Sequence, residues 1–380
     1  MSLVTPSQFL AELIALPSVN PAFLPKGDIR AGEHRIADYL AATAAKAGLD
    51  IEFQEVTPQR RNLLVRITPA GIVKQRILLA PHMDTVGEVE MPERLFSPEL
   101  RGGRMYGRGA CDTKGSVVAM LMALLTMATK GPRPKHTEII FAGLIDEENS
   151  QLGSRSLAAS GFKANLAIVG EPTQLKVVTA HKGDLWLRVQ TRGKSAHGAK
   201  PHLGKNAVHL MAKIVDVIET EYSKDLKRKT HPLLGNATVN VGSIQGGTQP
   251  NIVPASCTIS IDRRTLPHET VAGVLRELRC LFAKHGLRAV ISNSKGAPAP
   301  SLETDPKLPL VKSFLETTGQ TSSIGADFFC DAAILAASGI PSVVFGPGDI
   351  AQAHTDNEWI SVAMLNQAVA QFMRFFQKQP

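Results

Sequence analysis

Cysteine is scarce in this chain of 380 residues: there are four, Cys111, Cys257, Cys280 and Cys330, and no two of them form a C-x-x-C pair. Their spacing speaks against a disulfide framework and a cysteine-ligated zinc site and suits a reducing compartment, so the cytoplasm is the expected location. Long hydrophobic segments are also missing. The longest apolar run without a charge, Ser116 to Thr129, falls short of the roughly 20 residues that a membrane-spanning helix needs, and Gly and Pro interrupt the other candidates. The opening residues, MSLVTPSQFLAEL, have no basic region ahead of a long apolar stretch and do not read as a signal peptide. Thr5 followed by Pro6 reads instead as the cap and first turn of a helix. With 43% hydrophobic and 20% charged residues the composition is globular, and the length suffices for two or three domains. Disorder, fibres and membrane insertion are excluded; a soluble protein is expected.

What is present is an alternation of strand and helix signals. Gln75 to Ala80, Thr137 to Ile145 and Leu166 to Val169 are short apolar runs of the kind found in a buried parallel sheet, with a helical pattern at Gly115 to Thr129 between them. After Ala180 the pattern changes. Asp184 to Gln190 alternates like a half-exposed strand, and Asn206 to Glu221 places Val208, Met211, Val215 and Ile218 at helical spacing. Strands at Ala237 to Ile244 and Ala255 to Ile261 follow. Val271, Val274, Leu275, Leu278, Leu281 and Phe282 then mark an amphipathic helix ended by Gly286, before a strand at Leu287 to Ser292. This βαββαβ order is that of a ferredoxin-like unit. From Ser294 the α/β character resumes, with a buried strand at Ser342 to Phe345. The expectation is an α/β fold: residues 1–180 and 294–380 form one discontinuous domain, a mixed, mostly parallel sheet with helices on both faces, and residues 181–293 form an inserted α+β domain.

The formal net charge of +8 is concentrated in that insertion, which holds 17 Lys and Arg against 8 Asp and Glu while the remainder is almost neutral. The cluster Lys224, Lys227, Arg228 and Lys229 lacks interleaved aromatics and reads as a solvated helix end, so nucleic acid is not expected as a partner. A basic domain suits an anionic small molecule better.

The chemistry-bearing residues stand at the carboxyl ends of the buried strands, where open α/β sheets bind ligands. The first run ends in Pro81-His82-Met83-Asp84, the second in Asp146-Glu147-Glu148 and the third in Gly170-Glu171-Pro172; the last is followed by Gln352-Ala353-His354, and Asp112 precedes the helix that starts near Gly115. Each piece alone has an ordinary explanation, a structural His beside a Pro or a solvated acidic turn. Together, crowded at one edge, they would repel one another and resist desolvation unless cations held them. Two imidazoles with several carboxylates form a ligand set suited to zinc, with cobalt or manganese as alternatives, and two ions would share a carboxylate. Asp84, two residues beyond His82 on an extended segment, is placed to accept the second ring N–H of His82.

These segments resemble the dinuclear zinc amidohydrolases and peptidases, the family of acetylornithine deacetylase, succinyl-diaminopimelate desuccinylase, aminoacylase and glutamate carboxypeptidase. The resemblance spans nearly the whole chain. It is carried by His82-Met83-Asp84-Thr85-Val86, Gly107 to Gly115, Asp146-Glu147-Glu148, Gly170-Glu171-Pro172-Thr173, Gly193 to Gly198 and Phe345 to His354. It implies that Asp112 bridges two metal ions, that Glu148 and His354 complete one and His82 and Glu171 the other, and that Glu147, free of metal, is the catalytic base. It also implies a cis peptide bond after Asp112. His197, on the insertion, is expected to enter the active site of a partner subunit and steady the oxyanion, which requires a homodimer built through the inserted domain and closure of a lid over the substrate. Asn251 and Arg263 match substrate-holding positions, Arg263 gripping a carboxylate bidentately with Arg264 as its surface twin. Glu171 in Gly-Glu-Pro-Thr favours deacylases over peptidases, and Phe345 to His354 reads most like acetylornithine deacetylase, an enzyme of arginine biosynthesis. The Gly325-Ala326-Asp327-Phe328-Phe329 segment does not match the Ser/Thr-rich loop of the diaminopimelate enzyme. The resemblance thus implies hydrolysis of an N-acyl amino acid, with desuccinylation or a dipeptidase or carboxypeptidase activity as the alternative. A binding protein that has lost catalysis is disfavoured, because no ligand is missing and Glu147 is in place.

Overall fold

The first helix, Pro6–Ile14, begins where the Thr-Pro pair places it: Thr5 Oγ1 accepts from the Gln8 N–H and the Gln8 side chain accepts from the Thr5 N–H, a reciprocal capping box. The computed structural model describes residues 4–294 and 296–380. Among them, no helix is long and apolar enough to cross a membrane. The chain divides into two units, Met1–Thr179 with Thr304–Ile324 and Cys330–Pro380, and Ala180–Glu303 with Gly325–Phe329.

In the first unit the strands lie in the order Asp50–Thr57, Arg60–Ile67, Thr137–Gly143, Gln75–Pro81, Leu166–Gly170, Ser342–Val344 and Val178–His181, the last carrying the chain into the second unit. The four from Thr137–Gly143 to Ser342–Val344 are mutually parallel, flanked by antiparallel strands. Every residue of Thr137–Gly143 and Leu166–Gly170 is buried. Side chains on both faces of the sheet are therefore covered, which is why these strands are continuously apolar instead of alternating. The helix Lys114–Lys130 is buried over almost its whole length, explaining an apolar run with no charged face. Phe314 packs edge-on against Phe345 and Phe375, at centroid distances of 5.0 and 4.8 Å, beside Phe372 and Phe376. A separate three-stranded sheet, Trp359–Ser361, Arg104–Tyr106 and Glu99–Arg101, brings the C-terminal segment against the loop that precedes Asp112.

The second unit is a four-stranded antiparallel sheet in the order Thr238–Gly246, Ser256–Thr265, Gly183–Arg192, Val290–Asn293, with helices Ala207–Val217 and Val271–Lys284. Its core is its own: Leu185, Leu187, Val189, Ile259, Ile261, Leu278 and Phe282 are buried together. Two local expectations are corrected. The final strand starts at Val290, not Leu287, because Gly286 adopts a left-handed conformation (φ 65°) and the Leu287 N–H closes the preceding helix on the Phe282 carbonyl at 2.8 Å. Residues 296–303 and Gly325–Phe329, expected with the first unit, belong to the second, where Ala299 exchanges backbone hydrogen bonds with Asp184 and Leu302 pairs with His181.

The aromatic cluster dominates one end of the first core, and Phe314→Ala leaves a cavity there that the neighbouring rings cannot fill. The expected loss is about 3–5 kcal/mol, read as a lowered urea midpoint at unchanged native circular dichroism.

Candidate metal centre

Parallel strands end at a common edge, so residues that follow them in sequence become neighbours in space. His82 follows Gln75–Pro81 and Glu171 follows Leu166–Gly170; His82 also pairs singly with Leu144, just before Asp146, Glu147 and Glu148. Asp112 stands in the loop ahead of Lys114–Lys130, and its peptide bond to Thr113 is cis, as expected. His354 lies ten residues beyond the Ser342–Val344 strand.

The structure draws five of these side chains together. Asp112 presents one oxygen to each imidazole: Oδ1 is 3.1 Å from His82 Nε2 and Oδ2 is 3.2 Å from His354 Nε2. His354 Nε2 is also 3.1 Å from Glu148 Oε2, and His82 Nε2 is 3.9 Å from Glu171 Oε1. His82, Asp112 and Glu148 each offer one ligand atom within 4.8 Å of the others. Burial opposes charge on Asp112, yet hydrogen bonds from His354 and His82 hold it below the usual carboxylate range. Glu148 is pushed up to about 7, by burial first and by Asp112 second. Glu171 and Glu147 are both raised by burial, with the charges of their acidic neighbours adding to the effect. His354 is raised to about 10 by its hydrogen bonds to Asp112 and Glu148. Carboxylates gathered around two imidazoles with so little solvent call for positive charge, which a divalent cation supplies. Glu148 Oε1 is buried with no hydrogen-bond partner among the described residues. Hard carboxylate oxygens with two imidazole nitrogens are the donor set of zinc, cobalt or manganese, so the residues present fit a divalent metal.

Asp84 meets His82 through both its backbone carbonyl and its carboxylate. His82 Nδ1 is 3.0 Å from the Asp84 backbone carbonyl and 3.4 Å from its carboxylate. The carboxylate is also engaged elsewhere: Oδ1 accepts from the Glu147 N–H at 3.1 Å, and Oδ2 accepts from the Glu148 N–H at 3.2 Å and from Asn20 Nδ2 at 2.7 Å. One residue therefore orients the His82 ring and clamps the turn carrying Glu147 and Glu148. That turn starts at Asp146 in the left-handed region (φ 66°). Arg60 Nη1 and Asn20 Nδ2 hold the Asp146 side chain at 2.9 and 3.1 Å, and Glu33, itself paired with Arg60, accepts from the Asp146 N–H. Behind Glu171, a Cβ at Gly346 would lie 2.3 Å from Ser116 Oγ and 2.6 Å from the Glu171 carbonyl oxygen, so only glycine fits.

Asn20, Glu33 and Arg60 were not legible as site residues. They lie far from the strand ends in sequence, and the residue pattern around them carries no periodic signal. Asp331 was missed for the same reason; it is buried, accepts from Ser154 Oγ at 2.5 Å and is raised to about 7 by burial.

The remaining expected site residues lie in the second unit. His197 is exposed and pairs through its backbone with Ile252, while the Gly198 N–H donates to the Asn251 carbonyl at 2.7 Å, so His197 and Asn251 share one surface patch. Arg263 is a correction. It is fully buried, with Nε on the Tyr222 hydroxyl at 3.1 Å, Nη2 on Glu269 at 2.6 Å and Nη1 on the Arg264 carbonyl. Side chains alternate along Ser256–Thr265, so Arg263 joins Ile259 and Ile261 on the covered face while Arg264 emerges on the opposite one, beside Asp262 at 2.9 Å. With these partners and no exposed surface, Arg263 braces the domain and presents no face to a substrate.

The family model described as peptidase family M20/M25/M40 matches residues 78–378. The chain belongs to this family of metallo-hydrolases. It is 28% identical over 363 residues to the acetylornithine deacetylase of Aliivibrio fischeri (strain MJ11), covering 91% of this chain and 92% of that protein. It is 29% identical to that of Edwardsiella ictaluri (strain 93-146), over 92% and 91%. Among solved structures, the M20 family metallo-carboxypeptidase Sso-CP2 of Sulfolobus solfataricus superposes with a TM-score of 0.78 at 20% identity, covering 99% of each chain. The Bacillus subtilis YXEP protein, described as a dinuclear metal binding peptidase, gives 0.71 at 14% identity, covering 98% of this chain and 96% of that one.

Removing the Arg263 guanidinium leaves Glu269 in a largely buried place without its closest partner. Arg263→Met is expected to cost about 3 kcal/mol, and Arg264→Met distinctly less; denaturant titration of both variants checks the assignment of buried and surface roles.

Proposed function

We propose that the protein is a metal-dependent deacylase that hydrolyses the amide bond of an N-acyl amino acid, with N-acetylornithine as the first substrate to test and a place in arginine biosynthesis in the cytoplasm. The observation that carries this reading is the convergence of His82, Asp112, Glu148, Glu171 and His354 around one carboxylate that serves both imidazoles. Asp112 would be shared between two ions, with Glu148 and His354 holding one and His82 and Glu171 the other, zinc being the leading metal and cobalt or manganese substitutes. When bound, such ions polarise the scissile carbonyl and lower the pKa of an attacking water.

The chain's own groups do the rest. Glu147, adjacent to the ligand Glu148 and with its backbone fixed by Asp84, takes the proton from the water and delivers it to the departing amine. Its burial favours holding that proton between the two transfers. His197 of a second copy of the chain stabilises the oxyanion, which makes the active form a homodimer associated through the second unit. Asn251, exposed beside His197 in the second unit, holds the substrate. The basic excess of residues 181–293 suits the carboxylate that every N-acyl amino acid carries. The alternative, a dipeptidase or carboxypeptidase, has support in the peptidases among the solved structures of the same fold; the relatives matched over nearly full length, and Glu171 in its Gly-Glu-Pro-Thr setting, favour the deacylase.

Purified protein loaded with zinc is expected to release free amine from N-acetylornithine faster than from dipeptides; the reverse order in a substrate panel moves the assignment to a peptidase. Glu147→Gln should keep the metal and lose about 10²–10⁴-fold in kcat, whereas Asp112→Ala should lose metal in elemental analysis. His197→Ala should lower kcat at constant metal content, and a wild type fully active as a monomer at high dilution refutes the borrowed histidine.

A further inference from the structure

Glu358 lies outside every motif noted above, four positions beyond His354, and is 1% exposed. The antiparallel register of Trp359–Ser361 on Arg104–Tyr106 sets Trp359 opposite Tyr106, so the preceding residue faces Gly107, whose N–H donates to the Glu358 carbonyl at 3.1 Å. From there the Glu358 side chain enters the loop that carries Asp112. Its Oε1 accepts from the N–H groups of Cys111 at 2.8 Å and Asp112 at 2.9 Å. Its Oε2 accepts from the Gly109 N–H at 2.8 Å and from Arg108 Nη1 at 3.1 Å. A carboxylate offers about four lone-pair sites, and these four donors occupy them all. Three of the four are main-chain groups of one short loop. The carboxylate therefore fixes the loop's backbone path, including the amide of Asp112 itself.

We propose that Glu358 is the positioning residue for the shared ligand: by gathering the Gly109, Cys111 and Asp112 N–H groups it sets the direction in which the Asp112 carboxylate leaves the backbone, and so aims one oxygen at each metal position. Asp112 has one oxygen 3.1 Å from His82 and the other 3.2 Å from His354, so a rotation of this loop disturbs both positions together. The proposal rests on the reading of Asp112 as a metal ligand. Glu358→Gln is the sharpest probe because it keeps the volume. An amide has only one acceptor oxygen, and its NH2 group would face N–H donors, so half of the loop bonds are lost and a repulsive contact replaces them. Glu358→Asp keeps both oxygens but withdraws them by one methylene.

The test uses full-length wild type, E358Q and E358D, stripped of metal and titrated with zinc against a competing chelator, with kcat and KM measured on an N-acetyl amino acid and thermal unfolding followed in the metal-free state. E358Q is expected to bind zinc about 10–100-fold more weakly, with kcat falling in parallel, KM changed by less than about threefold and secondary structure unaltered; E358D should recover part of the affinity. Wild-type zinc affinity in a folded E358Q overturns the proposal, as does a loss of thermal stability with affinity unchanged. Failure of both variants to fold assigns Glu358 to the fold alone and also overturns it. A wild type that binds no zinc sinks the underlying reading of Asp112 instead, and is distinguishable because it shows before any variant is compared.

Discussion

Carboxylates and imidazoles do not collect in a buried place without opposing charge, and the first unit is organised around that constraint. Four carboxylates, Asp112, Glu147, Glu148 and Glu171, gather with His82 and His354; Asp112, Glu171 and His82 are buried, and Glu147 and Glu148 half-buried. In water each would be well solvated; here each has given up that hydration, and mutual repulsion adds to the cost. The parallel sheet makes the crowding unavoidable, because it delivers the ends of its central strands to one edge. A divalent cation offsets both penalties at once, and the buried Glu148 Oε1 has no hydrogen-bond partner among the described residues.

The supporting shell works mainly on backbone. Asp84 holds the amides of Glu147 and Glu148, and Glu358 holds those of Gly109, Cys111 and Asp112. Charge-assisted bonds to main-chain N–H groups are stronger than neutral ones. They fix where a side chain starts and leave its far end to the chemistry. A side chain so anchored starts from a preorganised position. The outer residues Asn20, Glu33 and Arg60 extend the same principle by tying down Asp146, the left-handed residue at which the acidic turn begins.

The second unit follows the simpler logic of a sheet covered on one face. Its period of two decides between adjacent arginines: Arg263 goes inward, where Tyr222 and Glu269 satisfy its guanidinium, and Arg264 goes outward. Two neighbouring residues of the same type thus take opposite roles, one bracing the domain and the other meeting solvent. The chain's basic character, concentrated in this unit, is a matter of surface and of what the surface attracts.

Local order in the chain was enough for the element types, the ferredoxin-like succession and the pool of metal-ligand candidates, because apolar periodicity and strand-end acids are properties of short windows. His82, Asp112, Glu147, Glu148, Glu171 and His354 could all be picked out that way. Their mutual distances could not, since they depend on which strands lie side by side. Asn20, Glu33, Arg60 and Glu358 were invisible for the same reason: a buried polar residue is recognised by the partners that satisfy it, and those partners are remote in sequence. Arg263 shows the limit most plainly, for motif position pointed to one arginine while the pleat of the strand, a property of the folded sheet, turned it away from solvent.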